Sequence, residues 1–155
     1  MTHACYWCRA GRLDFPCHVG GRPDPRVIAR ANIDRIKLDG HIEYEPWWPF
    51  ECFDEANRSA PELCWQIICE AIPLLETAQQ AATFAAGLPE DFAKDHLPAF
   101  IDRIEALARD SPRFRYVLSG IWPPLDARDD SPWERFERAR APGPWIGHGD
   151  PLPPA

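Results

Sequence analysis

Apolar residues recur with a helical period through the middle of the chain. Leu97, Phe100, Ile101, Ile104, Leu107 and Ala108 form one stripe; Phe114, Val117, Leu118 and Ile121 form another. Spacings of three and four residues place each set on one helix face. Earlier, Leu63, Cys64, Trp65, Ile67, Ile68, Cys69, Ala71 and Ile72 run almost without a polar break. Only Glu62, Gln66 and Glu70 interrupt them, along a single i,i+4 line. A helix apolar on most of its circumference is buried on most sides.

Punctuation sets the expected boundaries. Phe50 to Asn57 predicts a short helix. Ser59-Ala60-Pro61-Glu62 has the form of a capping box, with Ser59 as the cap of the apolar helix that Pro73 ends or kinks;. An Ala-rich helix is expected from Leu75 to Ala86, stopping at Gly87;. Pro89 opens a short helical turn through His96, and Pro98 starts the next helix, with Glu105–Arg109 as an outer i,i+4 pair;. Ser111-Pro112 caps a further helix that Gly120 and Pro123-Pro124 terminate;. Ser131-Pro132-Trp133-Glu134 repeats the cap pattern before a short helix ending near Arg140, and residues 141–155 read as extended, with Trp145-Ile146 as an anchor.

Strand periodicity is confined to the first third. Ile36 and Leu38 alternate before Asp39-Gly40, and Ile42 and Tyr44 alternate after it, which predicts a hairpin with a three-residue loop;. Residues 27–34 fit either strand or helix. Three regions follow: 1–46 with its cysteines and hairpin, 47–122 as a helical bundle, and 123–155 as a Pro-rich tail with one short helix. The fold class is mainly α, a small helical bundle with an N-terminal Cys-containing β-hairpin region and a Pro-rich C-terminal tail.

Composition narrows the function classes. The chain has 155 residues, 45% hydrophobic and 12% aromatic, which excludes a wholly disordered or collagen-like protein;. No run approaches the roughly 18 apolar residues of a membrane span. Lys+Arg 17 against Asp+Glu 24 gives −7, so nucleic acid is an unfavoured partner and a basic protein a favoured one;. The acidity concentrates in residues 47–122, with twelve acidic against six basic side chains. No apolar segment follows a basic start, so the expectation is a cytoplasmic protein with reduced or metal-bound cysteines.

Several matching residues carry a resemblance. Phe50-Glu51, Pro61-Glu62 with Trp65, Ile101 to Glu105, and Asp110 with Pro112 to Arg115 together resemble a small bacterial helical domain family of unknown function, over residues 47–122. The resemblance implies an all-α bundle and brings no activity, substrate or catalytic residue.

The sharpest chemical signal lies outside that span. Cys5-x-x-Cys8 has the spacing that lets two thiolates reach one tetrahedral zinc, and Cys17 or His18, with His3 or His41, supply further ligands;. The metal candidates are Cys5, Cys8, Cys17 and His18. Arg9 after the second cysteine excludes a c-type haem site, and the early Gly and Pro that follow argue against a thioredoxin-like pair;. Glu51, Asp54 and Glu55 share a helical face, which suits a divalent cation or an acidic first turn;. His96 reads as a helix-end residue, Cys64 and Cys69 as core, and Trp65 as core. Trp47-Trp48 and Trp122 read as seals at the ends of the bundle; Trp133 and Trp145, if exposed, as interface residues. There is no phosphate loop, nucleophile elbow or HExxH;. The favoured reading is a non-enzymatic protein-interaction module of immunity, antitoxin-like or accessory-subunit type. The alternatives are a zinc-binding protein or small metal-dependent enzyme built on the N-terminal cluster, and a nucleic-acid-binding zinc module.

Overall fold

The computed structural model describes residues 17–37, 48–126 and 131–155. The fold is mainly α, with one two-stranded antiparallel ladder near the N-terminus. The chain divides into two compact units, residues up to Leu74 and residues Leu75–Ala155.

The first unit opens with β1 (His18–Val19) and β2 (Arg22–Pro23), paired His18 to Pro23 and Val19 to Arg22. Gly20 and Gly21 both have positive φ, 59° and 76°, which a two-residue hairpin turn of this hand requires;. The predicted hairpin over 36–44 is corrected in part. Ile36 belongs to helix α1 (Pro25–Lys37), and Leu38 to Tyr44 lie outside the described residues. The ambiguous stretch 27–34 is helical because its apolar residues bury at helical spacing, at Ile28, Ala29 and Ile33;. Asp24 starts α1: its carbonyl accepts from Ile28 N (3.1 Å) and its carboxylate from Arg26 N (2.9 Å). The Arg26 side chain also holds that carboxyl below the usual carboxylate range.

Helices α2 (Trp48–Ser59) and α3 (Pro61–Ala71) complete the unit, and α1 packs on both. Asn32 on α1 is fully buried, and its Nδ2 donates to Ile28 O (2.9 Å) and Pro49 O (3.2 Å), tying α1 to α2. The Ser59 capping box does not form. Helix α2 runs through Ser59, whose hydroxyl donates back to Glu55 O (2.7 Å), and Ala60 becomes the cap residue of α3 with no side-chain bond. A serine still inside one helix satisfies its hydroxyl on the preceding turn and cannot also turn toward the next. Helix α3 behaves as its pattern predicts. Cys64, Trp65, Ile67, Ile68 and Ala71 are buried, while Glu62, Gln66 and Glu70 are exposed. A 3-10 turn at Ile72–Leu74 follows, at Pro73.

The second unit contains α4 (Ala78–Ala85), α5 (Leu88–Asp110), α6 (Pro112–Ser119) and α7 (Ser131–Arg140). Thr77 caps α4, accepting from Gln80 N (3.1 Å), so this helix starts three residues later than Leu75. Helix α5 is one continuous element of 23 residues, not a turn followed by a helix at Pro98. Pro98 removes a single donor toward Lys94 O, and both residues are exposed, so water can satisfy that carbonyl;. His96 therefore lies mid-helix, its ring 5.2 Å from Phe92 and 6.4 Å from Phe100. Ser111 caps α6 as expected, accepting from Phe114 N (3.1 Å). Phe114, Tyr116, Val117 and Leu118 are its buried residues.

The C-terminal segment is folded onto α6. Tyr116 Oη donates to Asp150 O (2.7 Å), Arg113 Nε to Pro153 O (2.8 Å), and Ile146 N to Ser119 Oγ (2.9 Å). Three bonds join one helix to separate points of residues 146–153, the expected anchor at Ile146 among them, and a 3-10 turn at Ile146–His148 interrupts the otherwise irregular segment. Burial and the nearby Asp150 carboxylate push the Tyr116 phenol above its ordinary pKa. Gly120 ends α6 where a Cβ would lie 2.8 Å from Ala85 Cβ and 2.9 Å from Ile146 Cδ1. That approach, rather than an unusual φ, is what requires glycine there.

Candidate functional site

The tryptophans reverse part of the sequence reading. Trp133, an interface candidate only if exposed, is buried at 6% exposure and packs edge-on against Phe136 with ring centroids 5.3 Å apart. Trp122, expected as a seal, is 72% exposed, and Leu125 is 82% exposed. Trp48 is buried as expected, and Trp47 lies outside the described residues. The α7 pattern explains Trp133: with Phe136 three residues on, it forms the inward face of that helix. Trp122 falls after the end of α6, where no helical period dictates its side.

The segment carrying Trp122 is held at its root. Ile121 is 1% exposed, and its carbonyl accepts from Arg140 Nη1 (2.6 Å), which also reaches Leu118 O (3.4 Å). Arg140 is buried in turn, paired with Glu137 through Nε (2.9 Å) and Nη2 (2.6 Å). Its guanidinium lies over the Phe136 ring at 5.5 Å and the Trp145 ring at 5.7 Å. Trp122 N donates to Glu90 Oε2 (3.4 Å), whose other oxygen holds Lys94 (2.6 Å). Pro123 and Pro124 then restrict the backbone up to Leu125;. The result is two exposed apolar side chains, three positions apart, on a backbone held at its root. Glu90 contacts that backbone at Trp122 N, and the residue after Leu125 is the exposed Asp126. Exposed indole area is costly to leave in water, and rigid tryptophans are over-represented among residues that dominate protein interfaces.

The structure brings together only part of the sequence-predicted metal set. Cys17 is 1% exposed and His18 half-buried, with Cys17 Sγ 3.1 Å from His18 Nδ1. Two ligands of one tetrahedral zinc would stand about 3.6 Å apart. Cys5 and Cys8, like His3 and His41, lie outside the described residues. Among the described residues, no group of three or more His, Cys, Asp or Glu side chains is arranged to hold a metal ion. The acidic face of α2 separates: Asp54 pairs with Arg58, while Glu51 Oε2 is buried without a hydrogen-bond partner. Cys64 is buried as expected and Cys69 is half-buried. Arg140, the residue that anchors the exposed segment, carries no motif; its only signal is a basic side chain in the last turn of α7.

Residues 37–143 match a family of unknown function, DUF6869, about two-thirds of the chain. The chain belongs to this family. The DUF6869 span reaches further on both sides than the resemblance over 47–122. It includes Trp122 to Leu125, their anchor Arg140 and the partner carboxylate Glu90, and leaves out Cys17 and His18. No curated protein and no solved structure matches the chain. Among the described residues, no helix is long and apolar enough to cross a membrane.

Proposed function

We propose that this DUF6869 protein acts by binding another protein rather than by catalysis, as an immunity- or antitoxin-like inhibitor or an accessory subunit. The observation that carries the reading is the exposed Trp122–Leu125 pair on a backbone pinned by Arg140 and Glu90. Its partner presents an apolar cleft for the indole with basic side chains at the rim, complementary to Glu90, Asp126 and the −7 charge of the chain;. Affinity capture with the wild-type protein and with a Trp122→Ala/Leu125→Ala variant, at low and high salt, tests it. A partner recovered by the wild type, weakened by salt and lost with the variant is the expected result. Equal recovery by the folded variant refutes the assignment of the surface.

A second reading, zinc held by Cys5, Cys8, Cys17 and His18, is supported by the burial of Cys17 beside His18. Native mass spectrometry of protein purified without chelator reads it directly. One zinc per chain supports it, and a metal-free mass counts against it.

A further inference from the structure

Three arginines from three helices line one groove in the second unit. Arg109 comes from the last turn of α5, Arg115 from α6 and Arg138 from α7; Ala108, Ala139 and Pro142 form apolar parts of the wall. The groove has a volume of about 570 Å³, within the range of small-molecule sites. Among the described residues, its one carboxylate is already committed. Both oxygens of Glu105 accept from Arg135, Oε1 from Nε (3.0 Å) and Oε2 from Nη2 (2.6 Å). That pairing takes the place of the expected Glu105–Arg109 contact and, among the described residues, leaves the Arg109 side chain with one bond, from Nε to Glu105 O (3.4 Å). Among the described residues, Arg138 makes no hydrogen bond or ion pair.

Arg115 is fixed by the backbone. Its Nη1 donates to Ala108 O, closely, and to Arg109 O (3.4 Å), and its Nε to Gly143 O (3.1 Å). These bonds occupy the carbonyls at the C-terminal end of α5, whose partial negative charge would otherwise oppose an anion. Helix-dipole stabilisation accounts for basic residues in the last turns of α5 and α7. It does not account for their sharing a groove with a third guanidinium while the carboxylate of that groove is bound by a fourth, Arg135, which also holds Asp102 (2.6 Å). Guanidinium groups match phosphate oxygens in geometry as well as charge.

We propose that this groove binds a small phosphorylated molecule, with Arg109 and Arg138 on the phosphate, Arg115 as a fixed donor, and Ala108, Ala139 and Pro142 against the remainder. The site is separate from the Trp122 surface: Glu90 and Glu105 lie 15 residues apart on α5, roughly 22 Å along the helix;.

Isothermal titration with pyrophosphate, ADP and adenosine, in buffers of matched ionic strength, tests the proposal. Saturable binding of ADP and pyrophosphate, with none of adenosine, is expected. Arg138→Gln removes no intramolecular bond and should weaken binding about tenfold, the worth of one charge-assisted hydrogen bond. Arg109→Gln/Arg138→Gln should abolish it, while Arg103→Gln, outside the groove, should leave it unchanged. Far-UV circular dichroism confirms that the variants are folded. Binding of pyrophosphate alone supports a phosphate site without a nucleoside subsite. No saturable binding of either phosphate, or an Arg138→Gln variant that binds as the wild type does, overturns it.

Discussion

Replacing Trp133 and Trp122 by alanine, one at a time, separates a structural tryptophan from a functional one. A tryptophan offers about 200 Å² for burial, and apolar area contributes about 25 cal/mol per Å². Full burial is therefore worth up to about 5 kcal/mol, an upper value because the unfolded chain already hides some of that area. Trp133 keeps 6% of its exposure and adds the edge-on contact with Phe136. Trp133→Ala should cost about 3–5 kcal/mol, in line with large-to-small core substitutions. Trp122 keeps 72%, so the same arithmetic leaves about 1.4 kcal/mol at most. The remaining indole area contributes only if a partner covers it. Urea unfolding followed by far-UV circular dichroism measures both, because the other tryptophans complicate fluorescence. Domains of this kind have total stabilities of about 5–15 kcal/mol, so the Trp133 variant should show a sharply lowered midpoint and the Trp122 variant a midpoint close to wild type. Equal losses for the two variants would refute the burial assignment, and with it the reading of Trp122 as a surface kept for binding.

Two further predictions concern caps and charge. Ser111→Ala should destabilise by about 1 kcal/mol, since it removes the bond from Phe114 N, whereas Ser59→Ala should change stability by less than about 0.5 kcal/mol because its hydroxyl caps nothing;. Thermal melts of the two variants distinguish them, and the opposite order would restore the Ser59 capping box. Arg135 holds the Glu105 carboxyl below its ordinary value of 4.5. A depressed acid contributes stability above that value and loses it as pH falls through the lower, folded pKa. Arg135→Gln should therefore flatten the acid limb of the stability–pH curve below about pH 4.5. An unchanged limb would remove Glu105 from the groove's electrostatic account.

How much was legible followed from how local each signal is. The stripe of α5, the cap of α6 and the buried face of α3 depend on residues within a few positions of one another, and periodicity exposes them directly. Boundaries that two elements compete for were not legible. Ser59 could serve α2 or α3, and the choice depends on how far α2 extends. Pro98 reads as a start because a missing donor usually matters; on an exposed face it costs little, and α5 continues. The hairpin at Gly20-Gly21 leaves no mark in the pattern, because strands of two residues have no alternation to detect.

Helical class, acidic balance and the apolar faces of the main helices are written in composition and short-range spacing, which act without reference to distant residues. Which tryptophan faces solvent, the pairing of Glu105 with Arg135 rather than Arg109, and the seating of residues 146–153 on α6 are set by long-range contacts. Each of those depends on a partner 19 or more positions away: Ile121 on Arg140, Glu105 on Arg135, Tyr116 on Asp150. Arginine chemistry is identical at every surface position, so the sequence held all the members of the groove without showing that they meet. What brings them together is the folding of three helices onto one another, with the Glu105 carboxylate bonded to Arg135.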